Sequence, residues 1–297
     1  MNAREEGFLL LTSYLGDPER RPLTLAQFRT LTLRARAMEK PLQDRALTPA
    51  DLIAIGCDRK MAQRIHDLLS QNAQLQWYLG KGMTMGCQPI TRISQGYPFA
   101  LHRALGLDTP GSLWLKGDVS ILDTPVISLV GSRELEPLNR EFAREVGKQA
   151  ALQGYTLISG NARGADRTAQ EACLAHGGKV ISIVADALQE HESRDNVLYI
   201  SEEGYDVDFS SHRALQRNRI IHAWGEKVFV AQCRLRKGGT WSGTAMNLRK
   251  SWRPVFCCDD ASPAAQELVQ LGAVAIGKEK LADISALQKP DMNLFDP

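Results

Sequence analysis

Four stretches of this 297-residue chain gather residues suited to holding an anion. The first is Gly131-Ser132-Arg133, at the end of the apolar run VISLV. A glycine permits a tight turn, free amides and a hydroxyl can meet a phosphate, and arginine adds a forked cation. The second follows YTLI and reads Ser159-Gly160-Asn161-Ala162-Arg163-Gly164-Ala165-Asp166. Again an apolar run ends in a glycine-rich turn with an arginine. Asp166 admits two readings: it caps the following helix, or it serves the site. The third stretch is Arg213 with Arg217, Asn218 and Arg219, ahead of the apolar pair Ile220-Ile221. Such a run is either a solvated helix face or the lining of a cleft. The fourth holds Arg234, Arg236, Lys237, Gly238, Gly239, Thr240, Trp241, Ser242, Gly243 and Thr244. Basic residues, glycines and hydroxyls where a helix begins make an anion nest. Trp241 either offers a stacking surface for a base or fills a core.

These residues need a common frame. VISLVGS, YTLISG, KVISIVAD, NVLYISEE, EKVFVAQC, RPVFCCDD and AVAIG are apolar runs, each ending in small or polar residues. Strands buried on both faces have this pattern. Helix-length segments separate most of them, at 137–153, 165–176, 212–224, 241–251 and 263–271. The alternation predicts an α/β domain over 126–282, a Rossmann-like, doubly wound and mostly parallel sheet. Ligands of such sheets bind beyond the carboxyl ends of the strands, and the anion-friendly stretches converge there.

Residues 1–80 predict a small all-helical domain. Apolar residues recur at three-to-four spacing in Phe8, Leu9, Leu11 and Leu15, and again in Leu23, Phe28 and Leu31. Thr24 and Thr48 are N-cap candidates, the second followed by Pro49 and Asp51. LTPADLIAIGCDRKMAQRIHDLL outlines a helix-hairpin-helix unit turning at Gly56, for phosphate contact or for plain packing or partner binding. Residues 81–125 read as a connecting segment packed on the main domain, with one or two strands among MTMGCQPITRIS, YPFALHRAL and GSLWLKGDVSIL. Residues 283–297 read as a tail.

The net charge of +2 excludes a wholesale polycation, so any nucleic-acid site must focus its positive charge locally. The six cysteines form no CxxC pair and lie beside no histidine at ligand spacing, which predicts buried thiols, no metal and a reducing compartment. The apolar stretch near the N-terminus is too short and too acidic in front for a signal peptide. No run approaches the roughly 20 apolar residues of a membrane helix. The expectation is a cytoplasmic protein without a membrane partner.

The order of the motifs carries a resemblance. YPFALHRALGLDTPGSLWLKGDVSIL, VGSR, SGNARGAD, SEE, RNRII and TA ahead of RPVF follow one another as they do in the DprA/Smf family of DNA-processing proteins. The resemblance covers roughly residues 88–260. It implies a Rossmann-like domain that binds single-stranded DNA in a positively charged pocket. It also implies homodimerisation through that domain, help in loading a RecA-type recombinase, and a role in natural transformation. The matching positions are Gly131, Ser132 and Arg133; Ser159, Gly160, Gly164 and Asp166; Arg217, Asn218 and Arg219; and Lys237 to Thr244. Departures are also present. Gln232 stands where the family has glutamate, the loop KGGTWSGTA is longer than usual, and Gln170 replaces a frequent histidine. ALQEHESRDNV replaces a glycine-rich, YP-containing loop, and no winged-helix domain follows. These changes keep open a divergent paralogue that senses a nucleotide or restrains a toxin partner in defence.

Catalysis is not expected, and neither is a cofactor. GGTWSGTAMN has the glycines of nucleotide N-glycosidic hydrolases but lacks their following glutamate, leaving Asp166, Glu202 and Glu203 as substitutes for a general acid or base. Gly272 to Lys278 mimics a P-loop, but Glu279 stands where Ser or Thr should hold magnesium.

Overall fold

The computed structural model describes residues 1–37 and 47–289; most of the expected tail, 290–297, lies outside the described residues. The chain forms two compact units. Unit 1 comprises Met1–Lys116 with Ala187–His191 and Ser201–Val207; unit 2 comprises Gly117–Asp186, Glu192–Ile200 and the chain from Asp208 onward. The 81–125 segment is divided, 81–116 in unit 1 and 117–125 in unit 2.

Unit 1 opens with five helices, α1 (Ala3–Thr12), α2 (Leu25–Arg36), α3 (Pro49–Ala54), α4 (Arg59–Leu69) and α5 (Asn72–Thr84). Thr24 and Thr48 are their N-caps. Each hydroxyl accepts from the third helical amide, and the side chain of Gln27 or Asp51 answers the cap amide. Helices α3 and α4 meet across Gly56, whose φ of 89° suits glycine, and Asp58 caps α4. Phe28, Leu52, Ile65 and Leu68 form the core beneath this hairpin. Strands β1 (Cys87–Thr91) and β2 (Ser112–Gly117) pair antiparallel. The stretch YPFALHRAL between them holds a helix, α6 (Phe99–Leu105), and no strand. Its Leu101 and Leu105 are buried four residues apart, so helical spacing wins over β propensity. A second core joins α5 to the returning segment: Tyr78 stacks on Tyr205 with centroids 4.3 Å apart, and Trp114 meets both edge-on.

All seven apolar runs become parallel strands of unit 2: β3 (Val126–Val130), β4 (Thr156–Ser159), β5 (Lys179–Ile183), β6 (Val197–Ser201), β7 (Val228–Val230), β8 (Val255–Cys258) and β9 (Val274–Ile276). Their order is β6-β5-β4-β3-β7-β8-β9. Helices α7 (Pro137–Leu152), α8 (Ala165–Ala175), α9 (Ser211–Trp224), α10 (Gly238–Lys250) and α11 (Pro263–Gln270) fill the connections. Helix α7 packs on α8 and α9 on α10, as right-handed crossovers on either side of a strand-order reversal require. The P-loop look-alike is strand β9. No helix among the described residues is long and apolar enough to cross a membrane.

Candidate functional site

The strand order reverses at β3, which has β4 on one side and β7 on the other. Such a switch point leaves a crevice beyond the strand ends. Three turns meet there and are bonded to one another. The Ser132 amide donates to the Gln232 carbonyl at 2.9 Å, and the Ala165 amide to the Ser132 carbonyl at 3.1 Å. The Thr240 hydroxyl donates to the Gly131 carbonyl at 3.0 Å, fixing the start of α10 to the end of β3. Gly131 is required by this approach, because a Cβ there would overlap that of Ala165. Gln232, in the family's glutamate position, accepts from the Glu136 amide at 3.0 Å.

The crevice is a cleft of about 580 Å³. Gly131, Ser132, Arg133, Arg163, Asp166, Arg217, Asn218, Lys237, Gly238, Gly239 and Thr240 line it, together with Arg234 and Glu134. A smaller lobe of about 280 Å³ shares Arg133, Arg163 and Arg217 with it and adds Gly160, Asn161, Ala185 and Asp186. Residues from the ends of β3, β4 and β7 and from α9 therefore face one space.

The arginines are held in different ways. Arg217 is buried on α9 and donates to the Ile183 carbonyl at the end of β5. Its guanidinium covers Gly160, leaving no room for a Cβ there. Arg213 is buried as well and donates to the carbonyls of Ala185 and Asp208, each at 2.8 Å. The run on α9 is thus no solvated face. Arg163 and Arg234 are exposed, and Glu134 approaches both, at 3.9 and 3.5 Å.

Asp166 is 6% exposed and accepts from the amides of Gly160 at 3.1 Å and Ala162 at 3.2 Å. The N-cap of α8 is Gly164, so the carboxylate braces the turn before the helix instead of capping it. Burial pushes the Asp166 carboxyl up from its usual range, while Arg217 and the two amides draw it down. Burial likewise lowers Arg217, opposed by Asp166 and Asp186. Desolvation outweighs attraction for both partners, as is common for buried pairs.

Five expected site residues lie outside the cleft. Ser159 is fully buried, its hydroxyl accepting from Gln170 at 2.6 Å. Gly164 is pressed behind the cleft against the carbonyls of Ser132 and Arg133. Arg219 and Ser242 lie on α9 and α10 beside lining residues but do not themselves line either lobe. Thr244 is buried and bonds to the Thr240 carbonyl of its own helix at 2.8 Å. Trp241 is 8% exposed and belongs to the core. The aromatic side chain that does face the cleft is Phe209, 54% exposed and bordering both lobes. Sequence reasoning missed it, since it follows an aperiodic stretch; its one signal was its place two residues before α9. Glu202 and Glu203 belong to unit 1.

The family model of DNA recombination-mediator protein A matches residues 88–287. The chain is 30% identical over 207 residues to the DNA processing protein DprA of Streptococcus pneumoniae, covering 63% of this chain and 71% of that one. It is 27% identical over 207 residues to DprA of Bacillus subtilis, covering 64% and 68%. Among solved structures it is similar to S. pneumoniae DprA, with a TM-score of 0.73 at 23% identity over 95% of this chain and 96% of that one. It is also similar to DprA of Helicobacter pylori, a structure concerned with that protein's single-stranded DNA binding mode, with a TM-score of 0.55 at 22% identity over 66% and 94%. The structural likenesses speak for the fold and the family match for descent, so the chain belongs to the DprA/Smf family of DNA-processing proteins.

Proposed function

We propose that the chain binds single-stranded DNA in the cleft of unit 2 and acts by holding the strand, without breaking a bond in it. The observation that carries this reading is the convergence of Arg133, Arg163, Arg217, Arg234 and Lys237 on one space beside the start of α10. Helix α10 begins at Gly238 and Gly239 with no side-chain cap, so its first amides point at a ready anion site. Phe209 supplies a face on which a base can stack, independent of sequence. The binding mode named for the H. pylori relative supports the same reading. Recombinase loading and pairing of two copies through unit 2 are the further steps that the family resemblance suggests; co-sedimentation with a recombinase and sedimentation of the protein alone test them.

Fluorescence anisotropy with a labelled oligonucleotide tests the main reading. Log affinity should fall with log salt by about 0.7 per neutralised phosphate. Arg133→Ala combined with Arg163→Ala should weaken binding and flatten that slope. Phe209→Ala should weaken binding while leaving the slope unchanged. Absence of binding at low salt would sink the reading.

A further inference from the structure

Helix α2 of unit 1 is one-sided in charge. Its 12 residues, LAQFRTLTLRAR, hold three arginines and no acid. Phe28 is buried in the core, whereas Ala26, Arg29, Thr30, Leu33, Arg34 and Arg36 are exposed. Contacts on two sides of the helix locate the arginines. On one side, Arg29 reaches Asp108 at 2.9 Å, and Arg92 donates to the Thr32 hydroxyl at 3.1 Å. The Arg92 guanidinium lies 4.6 Å from the centroid of the Phe28 ring. Burial lowers its pKa, and the like charge of Arg36 lowers it further. On the other side, Arg34 packs over Gly56 in the turn between α3 and α4, and the exposed Arg59 and Lys60 open α4 just beyond that turn. Ala26, Thr30 and Leu33 follow one another at helical spacing as an uncharged ridge. Cations in a last turn also steady the helix's final carbonyls, which accounts for Arg34 and Arg36 taken singly. It does not account for the missing acids, for Arg29 in mid-helix, or for Arg92 held beside Arg36. Like charges held together in this way suit an anion that both can meet.

We propose that α2 is a duplex-DNA surface, whose uncharged ridge enters the major groove while the arginines on either side meet the two phosphate backbones. A helix about 10–12 Å across fits the B-form major groove, which is about 12 Å wide. The short side chains of Ala26 and Thr30 allow a close approach. Duplex RNA is A-form, with a deep and narrow major groove, so it does not take a helix in this way. Asp108 and Asp58 border the surface, and both are engaged: Asp108 with Arg29, and Asp58 with the Met61 amide at 2.8 Å. The Arg29–Asp108 pair is nearly half exposed on both sides, a pairing weak enough in water for phosphate to replace. None of the residues of this surface lines either lobe of the cleft, so the inference stands apart from the strand-binding reading.

Anisotropy titrations of the full chain compare a labelled blunt DNA duplex, an RNA duplex of the same sequence and oligo-dT. Wild type should bind the DNA duplex at low salt, and the RNA duplex more weakly. Arg34→Gln with Arg36→Gln should weaken duplex binding about tenfold and make its salt slope shallower by about 1.8, at about 0.9 per phosphate contact. Oligo-dT binding should not change. Thr30→Glu removes no cation but places a carboxylate on the exposed ridge, and it should weaken duplex binding at least as much. Glutamate suits a helix, so this second variant reads the surface even where the double variant loses its fold. Arg133→Ala with Arg163→Ala, in the cleft, should leave duplex binding unchanged. Absence of duplex binding at low salt would overturn the proposal, as would full duplex binding by folded Thr30→Glu. Loss of duplex binding in the cleft variant alone would move the duplex to the cleft and overturn it too. Equal affinity for the RNA duplex would overturn insertion into the groove. Displacement of the duplex by poly-aspartate at equal charge concentration would make an acidic protein the partner and overturn the proposal as stated.

Discussion

The turns after β4 and β7 each carry glycines, a basic residue and the start of a helix, yet they are equipped in opposite ways. After β4, the amides of Gly160 and Ala162 are already held by Asp166, and Gly164 is wedged against its neighbours. After β7, Lys237 stands at the N-cap of α10 without a side-chain cap, and Gly238 and Gly239 follow it into the cleft. Both read alike as anion loops. One has its anion built into the chain, whereas the other is placed to take one from outside. A buried carboxylate in such a turn therefore marks a brace, and a helix start whose basic and glycine residues line the cleft marks the binding side.

The largest test of this contrast is Asp166→Ala. It strands two turn amides and deprives buried Arg217 of a counter-charge, so unfolding free energy should drop by about 3–5 kcal/mol in a denaturant titration. A loss below about 1 kcal/mol would mean that the turn is not braced in this way.

Acid offers a second test, on the α10 side. His222 is fully buried on α9, its ring nitrogens have no partner among the described residues, and Gly243 of α10 packs close to it. Burial lowers its pKa from 6.5 to about 4. The unfolded chain therefore takes up the proton first. The stability present above pH 6.5 is lost as pH falls towards 4, by roughly 3 kcal/mol at most. Asp166 acts in the opposite sense, because a carboxyl raised by burial is relieved by protonation. His222→Leu should remove the loss between pH 6.5 and 4, read as unfolding midpoints across that range. An unchanged pH profile would place the acid sensitivity elsewhere.

The smallest effect on the fold belongs to Lys237→Ala. Lys237 is exposed, so stability should change by less than about 0.5 kcal/mol. Binding should weaken, with the salt slope shallower by about 0.7. A large loss of stability would erase the contrast between the two turns.

Much of this arrangement was legible in the chain. Strands buried on both faces leave unbroken apolar runs, and all seven of unit 2 were readable for that reason. Thr24 and Thr48 declared helix starts through the residue three positions on. The Gly131–Arg133 turn and the α10 start could be placed because each follows a strand. What stayed hidden was direction. Arg217, Asn218 and Arg219 are neighbours in sequence, but a helix turns each by about 100°, and only the first two face the cleft. The division between Trp241 and Phe209 was hidden too, since which aromatic is covered depends on packing between distant segments. Nor does local patterning announce that 187–191 and 201–207 return to unit 1.

Glu134 gives the cleft one more property. Its carboxylate stands between Arg163 and Arg234, so the cleft carries part of its own counter-anion. A strand bound as proposed would exchange that carboxylate for phosphate at these two arginines and release fewer salt ions than the cations around the cleft would suggest. Tallying basic side chains would then overstate how steeply such binding responds to ionic strength, and the cleft would keep some grip on a strand where a bare cluster of arginines would let go.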